Sequence, residues 1–403
     1  MSMQKPPALI SRRTAVGGLA AGAASLALPA LAQTGPVRIG YAIARTGPWA
    51  GGAQVSQEPN FLLWAEQQNA AGGLDVKGKR RPIELVSFDD RSETETCVRT
   101  YEKLMGSDKV DLILPPWGST ANFAVAPLAN RYGYPMLAPT ALSRKLIDMN
   151  LPYFFSLLQQ PDRMMGALVD MLVANGVKTI AIIYMDDLFG LENFAALNTA
   201  LKKTSIQVLD RKSYPLGVKD LSPVLRSFKD QNPDAFIGIT YPPDTILASK
   251  QSKETGFNPK FFYASVGTAF QLYRNVMTPA GAEGVLGMGS WNSKTNARAK
   301  AYFDAHTKKF GGKEPDRWAS GACWASLEIL TAAVAKQGLD RKAIRDHVAK
   351  TEHDTILGKM KFTGSENTAT PGSVGQWQNG EFEIVWPKSM ATAALVPAKP
   401  AWK

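Results

Sequence analysis

"VDLILPPWGSTANFAVAPLANRYGYPMLAPTA", residues 110–141, holds the order that decides the fold. A short apolar run rich in β-formers (VDLIL) meets a Trp-Gly-Ser-Thr turn. A stretch with helical spacing follows (ANFAVAPLANRYG), and then a second apolar run (YPMLAPT). Two strands joined through a helix run parallel, because only a crossover of that length can bring the chain back to the same end of a sheet. Gly118 gives the turn room for close backbone approach. Pro127 sits inside the helical stretch and predicts a kink there, since it leaves the Phe123 carbonyl without its helical partner. Ser119 stands at or next to the start of that helix. It reads as a nucleophile, a helix cap or a residue that holds a ligand. "WGSTA" has Ala121 where a nucleophile elbow needs its second glycine, and no histidine lies near in sequence, so the hydrolase reading fails. Cap and ligand contact stay open on the residues alone.

Outward from this unit the same alternation continues in both directions. "VRIGYAI", "PIELVSFDD" and "VDLILPP" alternate with helical stretches before it, and "YPMLAPT" closes a first round. "TIAIIYMDD", "IQVLDRKSY", "DAFIGITY" and "KFFYAS" then alternate with helices again in a second round. Strands separated by helices call for parallel sheets covered on both faces. The fold class read from this is α/β, with two doubly wound parallel-sheet lobes joined near residues 151–161 by a hinge of several crossings. Residues 37–155 plus about 290–365 make the first lobe, and about 156–289 plus about 370–395 the second. The helical stretches after Gly284 return to the first lobe in this arrangement, and the tail "GSVGQWQNGEFEIVW" makes a late hairpin across the join. Open α/β sheets bind ligands at the C-terminal ends of their strands, here in a cleft between the lobes.

The first 32 residues read as an export signal. Lys5, Arg12 and Arg13 precede a short Ala- and Gly-rich run broken by Pro29 and ending in Ala30-Leu31-Ala32, a small-residue cleavage pattern. "SRRTAV" has paired arginines, with Ala15 where a twin-arginine signal carries a bulky apolar residue, so the export route stays open. No cysteine follows the cleavage point, which leaves no lipid anchor and implies a soluble periplasmic protein. The whole chain has 46 basic and 35 acidic residues; without the three basic residues of the signal the balance is 43 minus 35, or +8. The charges are interspersed, so they do not form a nucleic-acid footprint. Cys97 and Cys323 both fall in helical patterns, and sequence leaves open whether they pair. His306, His347 and His353 have no metal-ligand spacing, and no cofactor or metal is expected.

The resemblance to a known family becomes specific at "NAAGGLDVKGKRRPIELVSFDD" (Asn69–Asp90), with its Asn-x-x-Gly-Gly turn, Lys-Gly before a strand and paired Asp at the end. "TGPWAGG" at 46–52, the 115–141 stretch, "MDDLFGLENF" at 185–194, "FIGITYPPD" at 236–244 and "VPAKPAW" at 396–402 follow in order. Together they are similar to the type I periplasmic binding proteins, the receptors of branched-chain amino-acid ABC importers, over nearly the whole chain beyond the signal. That resemblance implies a two-lobed receptor in the periplasm, monomeric, that closes on a solute and delivers it to a permease and ATPase complex. It implies that the Ser119 hydroxyl and neighbouring backbone near Gly118 hold a ligand carboxylate, with the backbone near Thr140 and Ala141 completing the clamp. Trp49, Phe189 and Tyr241 fall where the family lines its cleft with aromatics. Trp117 is divided evenly between cleft and core, and Asp162 aligns with a family acid while serving equally well as a cap.

One departure bears on the ligand. Amino-acid receptors of this kind hold the ammonium with a second-lobe carboxylate just after the strand that here reads "FFYAS". Residues Ala264–Phe270 contain no acid, Val266 stands near the expected place, and Leu142 replaces the usual hydroxyl residue. A buried ammonium without a counter-charge costs on the order of several kcal/mol. The sequence therefore predicts an aromatic or apolar carboxylic acid as ligand, with a branched-chain or other aliphatic amino acid as the alternative. A sensor of the same fold that is not coupled to transport is not separated from a transporter receptor by sequence. An enzyme is not expected, because neither a histidine nor a paired carboxylate is convincingly placed in the cleft.

Overall fold

The computed structural model describes residues 35–402, so the export signal expected at residues 1–32 lies outside the described residues. Residues 35–402 fall within one compact unit built on two sheet systems. In the first, strand Val37–Ile43 lies between Ile83–Asp89 and the short Leu112–Ile113, all parallel. A companion sheet of four strands continues it, in the order Phe362–Thr363, Glu366–Asn367, Phe154–Ser156, Met136–Ala138. The second system is a single seven-stranded sheet. Its parallel strands Leu286–Met288, Phe261–Ala264, Ala235–Ile239, Thr179–Met185 and Gln207–Tyr214 are neighbours in that order. The hairpin Val374–Gln378/Glu381–Trp386 adds an antiparallel edge beside Leu286–Met288. Both lobes are thus doubly wound, and the second sheet is mixed at one edge, where strand Val374–Gln378 pairs antiparallel with Leu286–Met288.

The central strands of the second sheet are buried on both faces, and their sequences are continuous apolar runs: Phe236, Ile237 and Ile239 in one, Ile180, Ile182 and Ile183 in its neighbour. Helix Ser320–Gln337 returns to the first system and packs against helix Glu58–Ala70 and strand Leu74–Val76. The chain passes between the two systems between residues 156 and 161, between 288 and 297, and between 367 and 374. These crossings together form the join between the two sheet systems.

Local chemistry explains several helix starts. Asp187 accepts the Gly190 N–H at the head of helix Leu188–Leu201, and Asn296 and Asp340 cap Ala297–Lys309 and Arg341–Lys350 in the same way. Helix Ser119–Tyr132 carries Pro127 in its interior. Three features add to the sequence reading. Within "TGPWAGG" a short helix, Ala50–Ser56, begins, although its two glycines have poor helix propensity. The helix expected over 95–106 ends in a wider turn, Lys103–Ser107. Cys97 and Cys323 are free thiols, buried in two separate hydrophobic clusters. No helix among the described residues is long and apolar enough to cross a membrane.

Candidate functional site

The loop after Leu112–Ile113 and the loop after Met136–Ala138 lie side by side at the same end of their strands, and a polar network joins them. Gly118 precedes helix Ser119–Tyr132 at φ +84°, a left-handed conformation that glycine adopts without strain. Its N–H donates to the Thr140 hydroxyl at 3.1 Å, and that hydroxyl donates to Gln57 Oε1 at 2.8 Å. Gln57 is fixed in turn by its side-chain N–H, which donates to the Pro115 carbonyl at 2.7 Å. The Ser119 hydroxyl takes the Leu142 N–H at 3.0 Å and donates back to the Leu142 carbonyl at 3.1 Å. Ser119 is the first helical residue and makes no capping bond, so it is not the plain cap that its position alone suggests. Ala141 offers its carbonyl to the Ser156 hydroxyl at 3.1 Å. Ser119, Thr140, Ala141 and Leu142 are all buried.

Against this polar end stands an aromatic stack drawn from both sheet systems. Trp117, one residue before Gly118, lies 5.6 Å from the Tyr241 ring and 6.3 Å from the Trp318 ring. Phe189 stacks on Tyr241 at 5.1 Å with planes 26° apart. The Trp117 indole N–H donates to Ser56 Oγ at 2.8 Å. Its ring lies so close over Gly52 that a Cβ there would sit 2.2 Å from the ring, which is why "WAGG" carries glycine at that place. Trp49 heads helix Ala50–Ser56, and its backbone N–H donates to Ser92 Oγ at 3.1 Å. The indole N–H groups of Trp49 and Trp318 and the Thr120 hydroxyl are buried without a partner.

Tyr241 is anchored by its phenol, which donates to Asp187 Oδ2 at 2.7 Å while Oδ1 takes the Gly190 N–H at 2.8 Å. Burial raises the Asp187 carboxyl above its usual range, although both of these hydrogen bonds pull it down. Burial first, and then the neighbouring Asp187 charge, hold the Tyr241 phenol well above its ordinary value. Asp244, in the first turn of helix Pro242–Thr255, is pushed up to about 6, chiefly by burial.

The expected residues divide into two groups. Gly118, Ser119, Thr140, Ala141 and Leu142 form the polar network, and Trp117, Phe189 and Tyr241 the stack. Val266 is fully buried behind it, with its carbonyl taken by Thr245 Oγ1 at 2.6 Å. Asp162 is elsewhere. It is exposed and pairs with Arg144 at 2.7 Å, because its place in the first turn of helix Pro161–Ala174 turns it outward. Asp187, Trp318, Gln57 and Gly52 belong to the site without having been picked out from sequence. Asp187 carried a usable signal, an Asp-x-x-Gly cap directly around Phe189; Trp318 lies in "EPDRWAS", which shows no periodicity. Among the described residues no group of His, Cys, Asp or Glu is arranged to hold a metal ion.

A sequence profile of the family described as periplasmic binding protein matches residues 36–381. Among curated proteins, the Leu/Ile/Val-binding protein homolog 8 of Brucella abortus is 22% identical over 352 residues, covering 83% of this chain and 86% of that protein. Among solved structures, an ABC transporter solute-binding protein from R. palustris in complex with benzoate is similar at a TM-score of 0.78 and 17% identity, over 92% of this chain and 99% of that one. The branched-chain amino acid transporter substrate-binding protein LivJ from Streptococcus pneumoniae, in complex with isoleucine, is similar at a TM-score of 0.76 and 20% identity, over 87% of this chain and 100% of that one.

Proposed function

The chain belongs to the periplasmic binding protein family, and on that premise we propose that it is the receptor of an ABC importer for a small aromatic or apolar carboxylic acid. The observation that carries this reading is the pairing of an anion end with an aromatic end. Gly118, Ser119 and the Leu142 N–H stand at the start of a 14-residue helix, beside the Trp117–Tyr241–Phe189 stack. The first turn of a helix leaves backbone N–H groups without intrahelical partners, and its dipole favours an anion. A carboxylate takes the Leu142 N–H and the Ser119 hydroxyl in exchange for the bond these two make with each other. The ring or apolar body lies against the aromatics, at roughly 0.5–1.5 kcal/mol per ring pair. The ligand bridges both lobes and so favours the closed state by its differential affinity for it. The chain's role is capture and delivery from the periplasm, in keeping with the solute-binding family.

An aliphatic amino acid is the second reading, and Asp187 favours it, since this buried carboxylate of the second lobe touches the stack through Tyr241. Its two oxygens are already used, so an ammonium has to displace the tyrosine hydroxyl or the Gly190 N–H. A thermal-shift screen separates the readings. Benzoate- and cinnamate-type acids are expected to raise the melting temperature, and leucine and valine to leave it in place; the reverse pattern refutes the aromatic-acid reading. If leucine does bind, Asp187→Asn removes that response.

A further inference from the structure

Two residues beyond Leu142, the chain makes a second contact with the opposite lobe. The backbone N–H of Arg144 donates to Glu192 Oε2 at 2.8 Å, and the N–H of Lys145 reaches the same oxygen at 3.3 Å. The Lys145 ammonium stands 4.0 Å from Glu192 Oε1. Arg144 and Lys145 lie between strands Met136–Ala138 and Phe154–Ser156 of the first system. Glu192 lies on helix Leu188–Leu201, which follows strand Thr179–Met185 of the second. The Arg144 guanidinium is occupied elsewhere, donating to Asp162 Oδ1 and to Glu366 Oε2, both at 2.7 Å. Glu192 therefore holds main chain, and its side chain is only 15% exposed in doing so.

We propose that Glu192 is the closing contact of the receptor, a positioning residue that ties the second lobe to the ligand clamp of the first. The proposal rests on the closing-receptor reading of the function. Glu192 and Phe189 are three residues apart on one helix and so share a face. The rigid movement that brings Phe189 and Tyr241 against Trp117 brings the Glu192 carboxylate to the N–H groups of Arg144 and Lys145. That segment is continuous with Thr140–Leu142, whose backbone takes the ligand carboxylate in the proposed function. A carboxylate accepting two N–H groups in a largely dry place is a charge-assisted contact, stronger than a neutral one. Opening the cleft breaks it, and the broken contact is rewarded only by water. Glu192 thus sets how far the receptor closes and how long it keeps its ligand, without touching the ligand.

The test uses the exported chain and two substitutions that act on the two sides of one bond. Glu192→Gln keeps the shape and removes the charge. Arg144→Pro removes the N–H donor at a helix position where proline is tolerated, with Arg144→Ala as the control that removes only the guanidinium. Small-angle X-ray scattering of the chain without ligand is expected to show a larger radius of gyration for Glu192→Gln than for the parent, and for Arg144→Pro than for Arg144→Ala, these last two sharing the loss of the Arg144–Asp162 pair between the lobes. The double variant Glu192→Gln/Arg144→Pro is expected to open by less than the sum of the two single effects, because they share the Arg144 N–H bond while Lys145 still reaches Glu192 in Arg144→Pro. With benzoate as probe, the dissociation rate is expected to rise roughly tenfold in Glu192→Gln. Scattering profiles that match the parent in both variants overturn the proposal. Should Glu192→Gln lose its fold by circular dichroism, Arg144→Pro against Arg144→Ala decides alone. A parent chain that ignores benzoate overturns the aromatic-acid reading, while the scattering comparison still decides the role of Glu192.

Discussion

The two ends of the candidate site are built by different means. The polar end is main chain braced by short side chains: Gly118 through Thr140, Leu142 through Ser119. The aromatic end is side chain against side chain, with Trp117, Tyr241 and Phe189 held by Ser56, Asp187 and the glycine at 52. Main-chain donors survive most substitutions, whereas a ring contact does not survive loss of the ring. On the proposed function, the anion end sets that a carboxylate binds, and the aromatic end sets which one.

Trp117→Ala is the most damaging way to break the comparison. It empties a fully buried indole position and is expected to cost about 3–5 kcal/mol of stability by denaturant titration, together with all response to aromatic acids. Asp187→Asn and Tyr241→Phe each remove the bond that aims Tyr241. Each is expected to cost about 1.5–3 kcal/mol, and the double variant about the same as either single one, since they share one interaction. Gly52→Ala gains about 1 kcal/mol of helix propensity. It loses more to the Trp117 ring, for a net destabilisation of about 1–2 kcal/mol and a displaced ring visible in tryptophan fluorescence. Ser119→Ala leaves the buried Leu142 N–H without its partner, is expected to cost about 1–3 kcal/mol of stability, and weakens carboxylate binding by roughly 1–3 kcal/mol by calorimetry. An unchanged dissociation constant returns Ser119 to a purely structural brace of Leu142.

The smallest effect is a pH dependence carried by two buried carboxyls, one of them beside the aromatic end. Asp90, after strand Ile83–Asp89, and Asp244, beside Tyr241, are both raised to about 6, burial being the largest cause in each. A carboxyl raised on folding binds its proton more tightly in the native state. Its contribution to stability is full below the unfolded value near 4 and is lost as pH rises through about 6. Melting temperature contributed by these groups therefore falls between about pH 4 and 6. Asp244→Asn and Asp90→Asn each flatten part of that fall, and only Asp244→Asn is expected to alter the titration of Asp187, its charged neighbour.

Much of the architecture was legible in the alternation of β-rich and helical stretches, since strand Val37–Ile43 coincides with "VRIGYAI" and Gln207–Tyr214 with all but the first residue of "IQVLDRKSY". The mixed edge of the second sheet was less so, because a hairpin signal does not say which sheet it joins. Within the site, the Ser119–Leu142 neighbourhood follows from one βαβ unit, where both loops must emerge at the same end. Asp187 was hidden in plain view as a cap, its second bond to Tyr241 spanning 54 residues of chain. Asp162 aligned well and turned outward to Arg144, since one position on a helix rotates a side chain by about a quarter turn.

By itself the sequence determined the fold class, the turn that offers backbone N–H groups to an anion, and the lack of an acid over Ala264–Phe270. These are properties of local patterning: period, turn chemistry and residue type at a stated place in the chain. Only the tertiary structure decided which aromatics meet, that Trp318 joins them, that the two cysteines stay apart, and that Glu192 reaches across to Arg144 and Lys145. Those pairings depend on where two sheets and a hinge place groups far apart in sequence, and burial of their common surface selects among arrangements that local patterning leaves equal.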